Sequence, residues 1–301
     1  MTLQTKAMVM GSFVVFFWAT AATAFKIALS GMGYFELLMI ASFTTLLISA
    51  VEISWSGKWS KILNVFKDQP RLVKFSLQGL LNPLLYYLVL FKAYSLLPAQ
   101  IAQPLNYSWQ IVLVLMISLL FKHKLPITKI LGVFVSFAGI LALSFNSGAS
   151  ATGELSVPGI LLALGSAFIW ATFWISKINV NDDPSVSLFF NFLAGSIYLL
   201  IISFFVEISL PPFKSVLAGV YVGFFEMGIT FILWGKALNT ATNKLMLTQL
   251  TYLAPVISLL LIALVLKEKI GALTIFGLIA ILSGIAIANI NRRVASKDLV
   301  G

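Results

Sequence analysis

The chain has 301 residues and a formal charge of +10; 60% of its residues are hydrophobic, 10% are charged, and the mean hydropathy is +1.01. Such a composition excludes a soluble domain with a wet surface, and the lack of cysteine excludes a disulfide framework, a thiolate metal site and a cysteine nucleophile. The cations fall mostly between apolar stretches, a pattern of membrane orientation rather than of a nucleic-acid-binding face.

Ten stretches approach the ~20 residues that span a bilayer. They cover 7–29, 34–54, 73–96, 98–121, 126–145, 157–178, 185–207, 214–238, 241–266 and 271–291. The first carries Lys6, an apolar run and the small residues Ala19–Ala24, which imitate a signal peptide. The same Trp-Ala-Thr at 18–20 recurs at 170–172, deep in the chain, which favours a first transmembrane helix. Leu97-Pro98 leaves almost no loop between the third and fourth stretches, so those two helices run antiparallel. The long breaks are 55–72, rich in Lys and Trp, and 146–156, whose Ser, Gly, Ala and Thr read as a flexible linker.

That second break separates two copies of one pattern. Lys92-Ala93 corresponds to Lys236-Ala237, Leu105-Asn106-Tyr107 to Leu250-Thr251-Tyr252, and Lys122-His123-Lys124 to Lys267-Glu268-Lys269. Gly132 and Gly139 correspond to Gly277 and Gly284. The expected fold is therefore an all-α membrane protein of ten transmembrane helices in two repeats, 1–148 and 149–301. Five spans per repeat is an odd number, so the halves enter the membrane from opposite faces as inverted repeats. With the N-terminus in the cytoplasm, 15 of the 20 Lys and Arg residues lie inside, which predicts an inner-membrane protein with both termini cytoplasmic. Lys267-Glu268-Lys269 falls outside on this topology. His123, in its basic loop, reads as solvated.

Polar residues at helical spacing mark candidate chemistry. In the third stretch Gln78, Asn82 and Tyr86 recur every four residues. In the fourth, Gln103, Asn106, Tyr107 and Gln110 share one face, extended by Gln100; their counterparts are Thr248, Thr251, Tyr252 and Pro255. Side chains of this kind are costly against lipid, so they serve either as interhelical glue or as the wall of a shared cavity. Glu226 corresponds to Asn82 and Thr230 to Tyr86. Glu226 lies about 18 Å into its helix at 1.5 Å per residue, near the bilayer midplane. A carboxylate there is a candidate for a substrate ammonium or a coupling proton, or else a structural partner. Pro83 and Gly228 would loosen the two helices at this depth. Trp18 shares a face with Lys26, and Trp170 and Trp174 share one with Lys177; rings so far from an interface could stack on a planar or cationic ligand. Trp109 and Trp234 also fall inside spans.

These residues resemble the drug/metabolite transporter superfamily, in its EamA-type group of duplicated five-helix halves. The resemblance covers 7–293 and rests on the repeated Trp-Ala-Thr, the glycine-spaced fifth and tenth spans, and Lys267-Glu268-Lys269 where the family shows Gly-Glu. Leu105-Asn106-Tyr107-Ser108-Trp109 and Phe168-Ile169-Trp170-Ala171 are similar to the aromatic amino acid exporter branch, with Gln110 in place of that branch's proline. The resemblance implies a secondary carrier that moves a small amphipathic metabolite outward, an aromatic or similar amino acid. A quaternary-amine uptake permease of the same fold is the alternative. The expected partners are a small-molecule substrate and the lipid bilayer, with no cofactor, metal or nucleic acid; a monomer suffices. No paired carboxylates, metal-spaced histidines or phosphate loops are present, so no enzyme is expected. The expected site comprises Trp18, Asn82, Tyr86, Gln103, Asn106, Tyr107, Gln110, Trp170, Trp174, Glu226, Thr230 and Tyr252, with Glu226 as proton or counter-ion site, between spans one, three, four, six, eight and nine.

Overall fold

The computed structural model describes residues 1–120, 126–145, 155–178 and 182–289. His123 with its flanking lysines, most of the 146–156 linker, and Arg292, Arg293 and Lys297 lie outside the described residues. Among the described residues every regular element is a helix. Seven helices are long and apolar enough to cross a membrane, and Ile127–Leu143 and Ala272–Ala288 are shorter apolar helices.

The chain opens with α1 (Leu3–Leu29) and α2 (Tyr34–Trp55). The side chain of Thr2 caps α1 by accepting from the Thr5 amide. The 55–72 break, expected as a loop, instead holds a short helix, α3 (Trp59–Phe66). Ile62 and Val65 bury one side of α3, while Trp59, Leu63 and Phe66 stay exposed. A turn of eight residues gave no periodicity long enough to be read in sequence.

The third predicted span is interrupted. α4 (Gln69–Gly79) and α5 (Tyr86–Leu96) flank a widely wound segment over Leu80–Leu85, and Asn82 leaves helical geometry at φ −143°, ψ 115°. Proline disfavours helical backbone in the residue before it and lacks an amide proton, so Pro83 places the break here. The fourth span also divides, into α6 (Ala99–Tyr107) and α7 (Trp109–Leu120) around Ser108. Then come α8 (Ile127–Ser144), α9 (Val157–Ile175) and α10 (Pro184–Ser203). In the second half, α11 (Phe213–Tyr221) and α12 (Thr230–Thr240) flank the widely wound Val222–Ile229. Last are α13 (Lys244–Gln249), α14 (Leu253–Leu261) and α15 (Ala272–Asn289).

The two sequence repeats interlock. α1 packs on α12 and α14 of the second repeat, while α9 packs on α5 and α7 of the first. α2 packs on the 222–229 segment, and α10 packs on α4 and the 80–85 segment. At the 144-residue offset Gly79 matches Gly223, and both lie at these exchanged contacts. A Cβ on Gly79 would stand 2.5 Å from the Asn191 carbonyl oxygen, and the Gly223 carbonyl accepts from the Thr45 hydroxyl at 2.8 Å. α8 and α15 pair along their glycines, with Gly132 over Gly284 and Gly139 over Gly277. The ascending order of one helix meets the descending order of the other, so the pair is antiparallel. Outward from it point Leu131, Phe134, Phe137, Phe276 and Ile279, all exposed, the apolar side chains a lipid-facing surface needs.

One end of the molecule is held by charge. Asp182 accepts from Arg71 at 2.6 Å and Lys74 at 3.3 Å, and Asp183 from Lys61 at 2.8 Å and Lys58 at 3.2 Å. Glu52 joins Lys58 at 3.4 Å and Lys236 at 3.3 Å. Burial alone would raise the Asp183 carboxyl, but hydrogen bonds from Lys61 and Lys58 outweigh it and hold the group below the ordinary 3.8. A carboxylate so depressed contributes stability that is complete above that ordinary value and is lost as pH falls through the lower folded value. Thermal unfolding in detergent from pH 6 to pH 3 should therefore show an acid limb that Asp183→Asn flattens. An unchanged limb in that variant would remove Asp183 from the account.

Candidate functional site

A cavity of about 530 Å³ lies between the repeats, walled by α1, α5, α6, α7, α9, α12, the 222–229 segment and the region of α13 and α14. Its aromatic wall is continuous. Tyr86 stacks on Trp170 with ring centres 4.3 Å apart, and Trp170 meets Phe231 and Trp174 edge-on at 5.8 Å each. Trp109 lies 6.4 Å from Trp170 and 6.5 Å from Trp174, and across the cavity Trp18 packs on Trp234 at 5.5 Å. Indole and phenol faces at these separations suit a planar ring or an organic cation.

Polar groups interrupt this wall at few points. Glu226 is buried; its Oε1 accepts from the Tyr87 hydroxyl at 3.1 Å, and Oε2 has no hydrogen-bond partner. The Tyr86 hydroxyl donates to Asn106 Oδ1 at 3.2 Å, and Asn106 Nδ2 donates to the Ser166 hydroxyl at 2.8 Å. Both ends of the Asn106 amide are thus anchored, which fixes its orientation. Gln103, Tyr107 and Gln110 line the same side, and Thr248, Thr251 and Tyr252 face them from the second repeat. No group of three His, Asp or Glu side chains among the described residues could hold a metal ion.

Ten of the twelve sequence-predicted site residues therefore line one cavity: Trp18, Tyr86, Gln103, Asn106, Tyr107, Gln110, Trp170, Trp174, Glu226 and Tyr252. Asn82 and Thr230 do not. Asn82 is buried at the helix break, off the cavity wall, with Oδ1 unpartnered. The Thr230 hydroxyl donates to the Phe225 carbonyl of its own helix. Asn82 was expected on the face of an undistorted helix and Thr230 through its correspondence to Tyr86, whereas residues in a widened turn no longer share a face every four positions. Gln78 and Gln100, the outer members of the stripes, are interhelical ties: Gln78 donates to the Ser176 carbonyl at 3.2 Å, and Gln100 to the Lys269 carbonyl at 3.1 Å. Sequence reading missed Tyr87, the partner of Glu226, as well as Phe231 and Lys177 on the wall. Lys177 carried a signal, sharing a helix face with Trp170 and Trp174.

The two ends of the cavity differ. Toward the ion-paired end the lining runs out along Ile117, Lys177, Ile178 and Leu238. At the other end Phe25, Leu90 and Tyr94 form a floor, with Phe25 packed 4.9 Å from Phe91 and 5.2 Å from Tyr94. Behind that floor Lys26 donates to the Tyr94 and Leu97 carbonyls, both at 3.0 Å. Glu268 accepts from the Ala99 and Gln100 amides at 3.0 and 3.1 Å, placing a carboxylate on the positive N-terminus of α6. The acid of Lys267-Glu268-Lys269 is thus a helix cap that ties the second repeat to the first.

A model of the EamA-like transporter family matches residues 5–145 and again 157–290. The chain belongs to that family. The doubled match puts one copy of the family unit on each side of the linker, consistent with the two repeats read in sequence. Among curated relatives, an uncharacterized transporter, YvbV, of Bacillus subtilis (strain 168) is 25% identical, with 99% of this chain and 96% of that protein covered. The aromatic amino acid exporter YddG of Ancylobacter novellus is 26% identical, with 96% and 99% covered. A solved crystal structure superposes with a TM-score of 0.68 at 23% identity, over 96% of this chain and 98% of that one, and supports the fold. EamA-like proteins are membrane transporters, so a small-molecule substrate and a lipid environment follow from membership.

Proposed function

We propose that this EamA-like transporter is a secondary carrier of ten spans in two inverted halves, 1–148 and 149–301, that moves an aromatic or similar amino acid outward across the inner membrane. The single observation that carries the reading is the cavity between the repeats, aromatic on its walls, with one carboxylate oxygen of Glu226 left without a partner. A substrate ammonium, or a coupling proton, would satisfy that oxygen. Asn106 and Gln110 supply orienting hydrogen bonds, and Trp18, Tyr107 and Trp170 hold the side chain. The antiparallel glycine pairing of α8 with α15 supports inversion, and the excess of Lys and Arg at one end supports cytoplasmic termini. A cavity floored by Phe25, Leu90 and Tyr94 at one end and lined by Ile117, Lys177, Ile178 and Leu238 at the other suits alternating access. The similarity to a protein named as an aromatic amino acid exporter supports the cargo class.

Quaternary-amine uptake is the second reading, favoured by the same indole cluster around one acid. Purified protein in liposomes, challenged with labelled aromatic and aliphatic amino acids, choline and nucleosides, separates the two. Efflux of aromatic amino acids is the expected result. Flux confined to choline would transfer the assignment to the second reading, and flux confined to nucleosides would overturn both.

A further inference from the structure

Lys26 and Lys177 occupy matching places near the ends of α1 and α9, each on the face that carries its repeat's tryptophan. Their surroundings differ. Lys26 is tied to the Tyr94 and Leu97 carbonyls behind the floor of the cavity. Lys177 instead lies on the cavity wall. Its ammonium donates to the Ser187 hydroxyl and stands 5.1 Å from the centre of the Phe173 ring. The side-chain oxygen of Asn191, with the amide turned so that both its ends are satisfied, lies 3.3 Å away. All three partners are neutral. The acids on the neighbouring segment, Asp182 and Asp183, are paired with Arg71 and Lys74 and with Lys58 and Lys61. No carboxylate among the described residues lies within ion-pair distance of Lys177.

One helical turn back, Trp174 lines the same wall, and its buried Nε1 has no hydrogen-bond partner. Its ring is held between Trp170 at 5.8 Å and Trp109 at 6.5 Å, so the N–H direction is fixed. A buried donor without an acceptor is costly, and so is a largely buried ammonium whose acidic neighbour, Asp182, is already engaged by Arg71 and Lys74. One ligand oxyanion removes both costs.

We propose that Trp174 and Lys177 form an oxyanion station near the ion-paired end of the cavity, and that it takes the carboxylate of the transported molecule. The indole N–H fixes one carboxylate oxygen, and the flexible lysine stem brings the compensating charge to it. The cavity then carries an unpaired donor with a cation at this station and an unpaired acceptor at Glu226, a pattern that selects carboxylate-bearing amines over plain amines. This deepens the amino acid reading and rests on it for the nature of the cargo.

The test is equilibrium binding of three probes to purified full-length protein: 3-phenylpropionate (carboxylate only), phenethylamine (ammonium only) and phenylalanine. Lys177→Met should weaken 3-phenylpropionate and phenylalanine by about tenfold or more, the loss of one charge-assisted hydrogen bond. Phenethylamine should change by less than about twofold, and Lys177→Arg should recover the carboxylate probes. Trp174→Phe, which keeps an aromatic wall, should show the same selectivity with a smaller factor and serves if the methionine variant does not fold. The station is overturned if all three probes weaken alike, or if wild-type protein does not bind 3-phenylpropionate. The amino acid reading fails separately, with the station intact, if 3-phenylpropionate binds in a Lys177-dependent way while phenylalanine is neither bound nor transported.

Discussion

Replacing Glu226 by glutamine is expected to lower the affinity for ammonium-bearing ligands by about 10- to 100-fold, the loss of a hydrogen bond to a buried charge, and to remove any dependence of flux on a proton gradient. The substitution keeps size and shape, so packing around Tyr87 survives and folding should be retained. Its effect follows from the position of the group: Glu226 lines the cavity and is buried, fixed by the Tyr87 hydroxyl at 3.1 Å, with Oε2 unpaired. An amide presents a neutral oxygen and cannot exchange a proton. Isothermal titration with phenethylamine, phenylalanine and choline, together with liposome efflux at two external pH values, reads both effects. Loss of choline binding with amino acid binding preserved would favour the quaternary-amine permease. Wild-type affinity for every ammonium ligand, with pH dependence intact, would take Glu226 out of the site.

Gly139→Val should destabilise the folded protein by roughly 1–3 kcal/mol or more, as overpacking of a close contact does. A Cβ at this position would lie 2.6 Å from the Gly277 carbonyl oxygen and 2.9 Å from the Ile281 backbone nitrogen. Both neighbours are backbone, so no side chain can turn aside and the two helices must separate. Association of helices in lipid relies on such close approach, because lipid tails are as apolar as the residues they would replace. Phe134→Ala on the same helix is the control, since Phe134 points outward and is exposed. Thermal unfolding in a mild detergent should show a large fall for Gly139→Val and a small one for Phe134→Ala. Equal falls would mean that the α8–α15 contact is not held by backbone proximity.

Much of this protein is legible in one dimension. Apolar length located every helix assigned as a span, because lipid leaves the backbone few alternatives to a helix. The 144-residue offset related Lys92 to Lys236 and Asn82 to Glu226 without any coordinates. The same logic singled out Glu226, since a carboxylate far from either helix end has no inexpensive place in a bilayer.

Face assignment is where the one-dimensional reading stopped. A four-residue period predicts a shared face only while the helix keeps its pitch. It held for Gln103, Asn106, Tyr107 and Gln110 across the Ser108 turn, and it did not bring Asn82 to the wall, where Pro83 changes the winding; the repeat correspondence did not bring Thr230 there, beside the widely wound 222–229 segment. Polar character alone did not distinguish ligand from tie: Gln100 and Gln103 lie on one stripe, yet Gln100 joins the Lys269 loop and Gln103 faces the hollow. Lys26 and Lys177 each follow their repeat's Trp-Ala-Thr tryptophan by about two helical turns, and only the tertiary structure ties one to carbonyls and leaves the other on the cavity wall. Sequence by itself determined which segments are apolar helices and which residues are too costly to meet lipid. What each of those residues meets instead was decided by tertiary packing within and between the two interlocked halves, through contacts that no local pattern encodes.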